Sequence, residues 1–271
     1  MVDGGGLENH CTRKGTGGSN PSPSDQCFAS PGLARGEVRG AGAKVSAVFS
    51  RSSRGRLTDR DVGRFPDERL FHRIARAVCH AGCLPRKELY EAWEMARRVR
   101  RLFRGGRVVD LGSGHGLLAH VLLLLDQSSS NALAVDTVVA RSAAKLHAAL
   151  VATWPALAGR VEFVAGALED VPLRSTDIVV SSHACGALTD LVLDRAVEVR
   201  ARVAVLPCCH DLATCDAGAL FGWLDHALAI DVVRATRLER RGYRVWTQTI
   251  PADITPKNRI LIGCPAESLD D

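Results

Sequence analysis

Arg107-Val108-Val109-Asp110-Leu111-Gly112-Ser113-Gly114-His115-Gly116 is the stretch that decides the fold. A short β-rich run closes on an acid, and three glycines follow at alternate positions. Leu117 to Asp126 is then apolar and long enough for a helix. The order predicts strand, tight turn, helix. Glycines suit such a turn because they accept unusual φ and let a ligand lie against bare backbone. The first turn of the helix adds backbone N–H groups with no partner inside the helix. The next strand-like run, Asn131-Ala132-Leu133-Ala134-Val135-Asp136, ends in a second acid. Asp136 stands about 20 residues beyond the last glycine, the offset of a ribose-binding carboxylate in dinucleotide sites. An acid before the glycines, a helix after them and an acid closing the second strand together predict a nucleoside-type ligand.

Working outward, strand and helix alternate. Strands are expected at 107–111, 132–136, 161–164, 177–181 and 203–206, and helices at 115–126, 138–154, 186–199 and 218–241. Right-handed crossovers then give an α/β, doubly wound, mostly parallel sheet. Two last runs, 243–250 and 258–263, have no helix between them and read as a closing antiparallel hairpin. Upstream, 45–105 is expected to be a basic helical segment. Phe65-Pro66-Asp67-Glu68 signals one start and Pro85 the next, and Gly105-Gly106 ends the second helix. Leu89, Trp93, Ala96 and Val99 would face inward, with Arg97, Arg98, Arg100, Arg101 and Arg104 largely outward. Those arginines read as a solvated face or as a phosphate-contacting surface.

Residues 1–44 are rich in Gly, Ser and Pro and are expected to be a disordered tail or a mis-assigned start. Codons available to Gly6–Asn9 and Gly18–Pro21 can spell the anticodon loop and T arm of a serine tRNA, which would move the start to Val38 or Val45. The expected domain is 106–265, with 266–271 a second tail. A 46% hydrophobic content over 271 residues supports one good core. The formal charge of +5 permits a nucleic-acid partner without demanding one. Nine cysteines without framework spacing predict reduced thiols and a cytoplasmic location. The apolar run 121–125 is too short for a bilayer, so no membrane partner is expected. Oligomeric state is not legible.

Ligands in such sheets bind beyond the carboxyl ends of the strands. Asp170, after the third strand, is a candidate for the adenine amino group or for a helix cap. Ser181-Ser182-His183-Ala184-Cys185-Gly186-Ala187-Leu188-Thr189-Asp190 follows the fourth strand, and Leu206-Pro207-Cys208-Cys209-His210-Asp211 the fifth. These strands should be neighbours. His183 and His210 are candidate bases, since imidazole titrates near neutrality, or else cleft-wall residues bonded to backbone. Cys185, Cys208, Cys209, His183 and His210 form a possible Zn²⁺ set. Without C-x-x-C spacing, the expectation is a shaped pocket with no metal.

V-D-L-G-S-G-H-G resembles motif I of class I S-adenosylmethionine (SAM) methyltransferases. Within them, H-x-C-G-x-x-T-D at His183–Asp190 and P-C-C-H at Pro207–His210 resemble one branch. That branch holds the eukaryotic tRNA acceptor-stem 2′-O-methyltransferases and related methyltransferase-like proteins. Pro85-Arg86-Lys87-Glu88 is similar to the branch's lead-in helix. The sequence departs from the tRNA enzymes in lacking their zinc-finger segments and a Lys-Asp-Lys-Glu tetrad. The resemblance implies a Rossmann-like, seven-stranded domain that uses SAM to methylate an acceptor, RNA being the preferred class. A protein or small-molecule acceptor, or a non-catalytic SAM-binding module, are the alternatives. It implies Gly112, Gly114 and Gly116 against the methionine moiety, Asp110 on the loop or the amino group, and Asp136 on the ribose. His183, His210 and Asp190 would then be catalytic.

Overall fold

A computed structural model describes residues 49–269. The expectations for residues 1–44 lie outside the described residues. Two helices open the described chain: α1, Leu70–Ala81, and α2, Arg86–Leu102. The alternating part follows as β1 (Val108–Leu111), α3 (Leu117–Leu125), β2 (Ala132–Asp136), α4 (Ala143–Thr153), β3 (Val161–Ala165) and β4 (Ile178–Ser181). It continues as α5 (Ala187–Glu198), β5 (Arg202–Val205), α6 (His226–Arg240), β6 (Tyr243–Thr249) and β7 (Arg259–Pro265).

The seven strands lie in the order β3-β2-β1-β4-β5-β7-β6. β1 to β5 are parallel, and β7 runs antiparallel to both β5 and β6. The doubly wound sheet with its closing hairpin is therefore present, and β4 and β5 are neighbours. The strand ends differ from expectation by a residue or two, as fraying boundaries do.

Both sheet faces are covered, which is why β1, β4 and β5 read as continuous apolar runs. On one face Val108, Ala134 and Val180 pack with α1, α2, α3 and α4. On the other Val109, Leu111, Val135, Val179 and Val205 pack with residues of α5 and α6. The upstream helices thus share one core with the sheet. β2 and β3 are laid down on one side of β1 and β4 and β5 on the other, so the crevice of a doubly wound sheet opens at the carboxyl ends of β1 and β4. Among the described residues no helix is long and apolar enough to cross a membrane.

Three expectations need correction. Arg100 does not face outward: it is 2% exposed. It falls four residues after Ala96, on the apolar stripe of α2, and its guanidinium ends on Asp126 (3.1 Å), Ser129 Oγ (2.8 Å) and the Leu122 carbonyl (3.1 Å). α4 begins at Ala143 rather than 138, because residues 137–142 form the loop that leaves Asp136. The span from 218 is divided: a 3-10 turn covers Gly218–Gly222, and α6 starts afresh where Asp225 accepts the Leu228 N–H.

Candidate functional site

The glycine turn between β1 and α3 has positive φ at Gly112, Gly114 and Gly116. Two of these positions explain themselves. At Gly116 an added Cβ would meet the Phe163 ring at 2.8 Å, so the turn packs against β3 with no room for a side chain. At Gly114 an added Cβ would meet nothing within 4 Å, yet φ is +55°. Bare backbone there borders open space, the arrangement a close-lying ligand needs. Asp136 reaches back from β2 and accepts the Gly114 N–H at 2.9 Å through Oδ2. One oxygen of this acid fixes the turn; Oδ1 meets the Thr137 hydroxyl at 3.4 Å and keeps a lone pair for a ribose hydroxyl.

Beneath the turn, Asp110 is 1% exposed, and neither carboxylate oxygen finds a hydrogen-bond partner. Burial pushes its pKa up to about 7; the Ala119 N–H, which faces the carboxylate without meeting hydrogen-bond geometry, opposes this, and the Asp136 charge adds to it. An unpaired buried acid is costly unless something cationic or hydrogen-donating meets it.

His120 was not legible as a site residue, lying in an apolar helix. It is fully buried, its Nδ1 is 2.7 Å from the Gly116 carbonyl, and its Nε2 is 2.9 Å from His147 Nδ1. Beside a carbonyl, Nδ1 must be the donor, so Nε2 accepts from His147. Burial above all lowers its pKa to about 4, which keeps it neutral. His120 therefore latches the glycine turn to α3. On the turn's other side His115 Nε2 meets Ser142 Oγ at 2.9 Å.

The segments after β4 and β5 lie side by side, joined by the Leu206 N–H to the Ser181 carbonyl (2.9 Å). The first abuts the glycine turn, since a Cβ on Gly112 would stand 3.6 Å from Ala184 N. His183 is half-buried in this segment. Cys185, Cys208 and Cys209 converge, with all three sulfurs within 4.8 Å of one another. Burial pushes the Cys208 and Cys185 thiols up.

His210 turns towards α6. Its Nε2 lies 2.7 Å from Asp231 Oδ1, and its side chain is almost wholly buried. Asp231 also accepts from Arg259 (2.7 Å) and lies 3.4 Å from Arg234. Burial would raise this acid, but His210 and Arg259 outweigh it and hold its pKa below the usual carboxylate value. Asp190 gives both oxygens to Arg234, at 3.0 and 2.7 Å. Arg234 is 1% exposed and also donates to the Gly186 carbonyl. Asp190 thus anchors α5 to α6 and carries no free carboxylate oxygen. Arg234, Asp231 and Arg259 escaped the sequence reading because their partners are distant in the chain and ion pairing has no periodic signature. Asp170 closes a 3-10 turn and lines a groove with Arg107, Leu133, Val135 and Glu162, separate from the glycines.

Residues 87–216 match the family model described as "Methyltransferase domain". The match takes in the glycine turn, both acids and the two segments after β4 and β5. A glutathione S-transferase C-terminal domain-containing protein of Xenopus laevis is 25% identical over 34% of this chain, which spans 21% of that protein. Among solved structures, an O-methyltransferase family protein from Burkholderia thailandensis is 16% identical, with a TM-score of 0.45 over 78% of this chain and 63% of that one. A tRNA methyltransferase, TrmK, from B. subtilis is 16% identical, with a TM-score of 0.43 over 64% and 65%. The matched segment is thus similar to a methyltransferase domain. Its residues fit SAM as a methyl donor: open space beside Gly114, an Asp136 oxygen whose one contact is the Thr137 hydroxyl at 3.4 Å, and a buried, unpartnered Asp110.

Proposed function

We propose that the whole chain is a SAM-dependent methyltransferase acting on RNA, tRNA-like in class, within the branch named by H-x-C-G-x-x-T-D and P-C-C-H. The Gly114–Asp136 contact beside open space, with the buried and unpartnered Asp110 closing the strand before it, carries the donor half of this reading. Bound SAM supplies an electrophilic methyl carbon on its sulfonium. The chain's own task is then alignment, the conversion of a two-body encounter into an in-line one. Asp136 would hold the ribose with Oδ1 while Oδ2 keeps the turn closed. Asp110 would face the amino group, and His183 would take the proton that the nucleophile loses. RNA is favoured as acceptor by a cation set of arginines rather than lysines, with Arg97, Arg101 and Arg104 exposed on or just beyond α2. Guanidinium groups match phosphate oxygens in a bidentate fork.

The test supplies tritiated SAM together with total RNA, protein and metabolite pools in parallel. Label in ribonuclease-sensitive material, absent with Gly114→Val, is the expected result. Label in protein or metabolites alone would move the acceptor elsewhere. Binding of SAM without label transfer to any pool would leave a binding module.

A further inference from the structure

We propose that Cys185, Cys208 and Cys209 form a site for one thiophilic divalent ion, Zn²⁺ by preference. The fourth coordination position would open onto the adjoining groove. The three sulfurs lie within 4.8 Å of one another. Cys208 and Cys209 Sγ stand 3.8 Å apart, close to the ~3.8 Å edge that two ~2.3 Å zinc–thiolate bonds span in a tetrahedron. Cys185 and Cys208 Sγ are 2.9 Å apart, so an ion must draw the exposed Cys185 thiol outward to the same ~3.8 Å edge. A disulfide would use two of these thiols and leave the third without a role, whereas an ion uses all three.

Both contributing segments are built to hold position. The Ala184 N–H donates to Ser181 Oγ, Thr189 Oγ1 donates to the Ala184 carbonyl, and Arg234 holds the Gly186 carbonyl. On the other side Cys208 and Cys209 sit between the Leu206–Ser181 ladder bond and the His210–Asp231 pair. Cys185 and Cys209 are exposed, so an ion has an entry path. The groove beside them carries Glu169 and Asp211, whose charge favours a cation. The sequence offers these thiols as part of a possible Zn²⁺ set, but with no C-x-x-C spacing, because they come from loops of two neighbouring parallel strands rather than from one turn. On binding, the three thiols release their protons to solvent and three metal–sulfur bonds form, with no change of oxidation state. Three thiolates leave the loaded site with one net negative charge. A water or a substrate heteroatom completes the tetrahedron.

The experiment titrates the reduced full chain with Co²⁺ alone, then displaces it with Zn²⁺ alone. One Co²⁺ per chain is expected, with sulfur-to-cobalt charge-transfer absorption and the strong visible bands of a tetrahedral site. Cys185→Ser and Cys209→Ser, both at exposed positions, should each weaken binding by on the order of tenfold or more and dim the charge-transfer band. Cys264→Ser, buried in β7, should change neither. Absence of the band at saturating Co²⁺ would overturn the proposal, as would wild-type Co²⁺ affinity in both exposed variants. A Cys185–Cys208 disulfide in the isolated protein, together with no Co²⁺ uptake after reduction, would overturn it too.

Discussion

At the scale of single residues, Asp110 makes the sharpest statement about the ligand. Burial holds its pKa near 7 in the folded, unliganded chain, against about 3.9 when unfolded. Between those values the folded state keeps a proton that the unfolded state has released. Stability therefore falls as pH rises from about 4 to about 7, by at most about 1.4 kcal/mol per pH unit. Asp110→Asn removes that slope, so wild type and variant compared by denaturant unfolding at pH 5 and pH 7.5 should diverge at the higher pH, with the variant the more stable. A cationic ligand reverses the advantage by favouring the carboxylate. SAM affinity measured calorimetrically should rise with pH up to about 7 in wild type and stay flat in Asp110→Asn; a flat wild-type profile would separate Asp110 from the ligand's charge. The glycines discriminate further. Gly114→Val places a β-branched residue at φ +55° beside open space and should abolish SAM binding with the fold intact. Gly116→Val drives its Cβ into Phe163 and should lower the melting temperature as well. Asp136 was legible because turn and acid belong to one local strand–turn–helix–strand unit. The sharing of its oxygens was not, since the Gly114 N–H reaches it only after the turn has closed.

Among the elements, α2 shows what helical periodicity reveals and what it conceals. Leu89, Ala96 and Val99 are buried as their spacing requires. Arg100 occupies the same stripe, and its charge disguised an inward position. Burial lowers its pKa to about 10, with Asp126 opposing the fall. Asp126 is itself 7% exposed but keeps Arg104 at 3.8 Å and the Gly105 and Ser128 donors when Arg100 is truncated. Arg100→Ala should therefore cost about 1–3 kcal/mol of stability, mainly for the hydrogen bonds it withdraws from the buried Ser129 hydroxyl and the Leu122 carbonyl, readable by chemical denaturation. Arg97, Arg101 and Arg104 are exposed, and replacing all three with Gln should change stability by only about 0.5 kcal/mol or less. If they meet phosphates, the same triple variant weakens RNA binding at low salt. It also flattens the salt dependence by roughly 0.7 to 0.9 per lost contact. Unaltered RNA affinity and slope would make them a solvated face. The late starts of α4 and α6 have a common origin. Propensity alone extends both helices upstream, but in each case a loop or a 3-10 turn occupies the earlier residues.

For the whole molecule, the proposed function would divide donor and acceptor roles along the sheet. Asp110, Gly114 and Asp136 belong to β1, its turn and β2, whereas His183 and His210 follow β4 and β5. The two histidines, equal candidates in the sequence, are not equal in the structure. His183 is half-buried in the segment that abuts the glycine turn. His210 is locked on Asp231, within a set of ion pairs that runs from Asp190 through Arg234 and Asp231 to Arg259 and so ties α5, α6 and β7 together. If His183 handles the proton, His183→Ala should lower turnover by about 10²–10⁴-fold while SAM affinity and melting temperature stay near wild type. His210→Ala should behave differently. It leaves Asp231 with Arg259 and Arg234 but opens a gap beneath the segment after β5, so stability and turnover should fall together. Arg234→Met tests the same network from its centre. It strands Asp190 and deprives Asp231 of one cation, and should cost about 3–5 kcal/mol without altering SAM affinity per folded molecule. Melting curves, SAM calorimetry and single-turnover label transfer, read on all three variants, separate the cases. Full turnover in His183→Ala would remove it as the base. A turnover loss in His210→Ala with wild-type stability would return that histidine to the chemistry, with Asp231 orienting its ring.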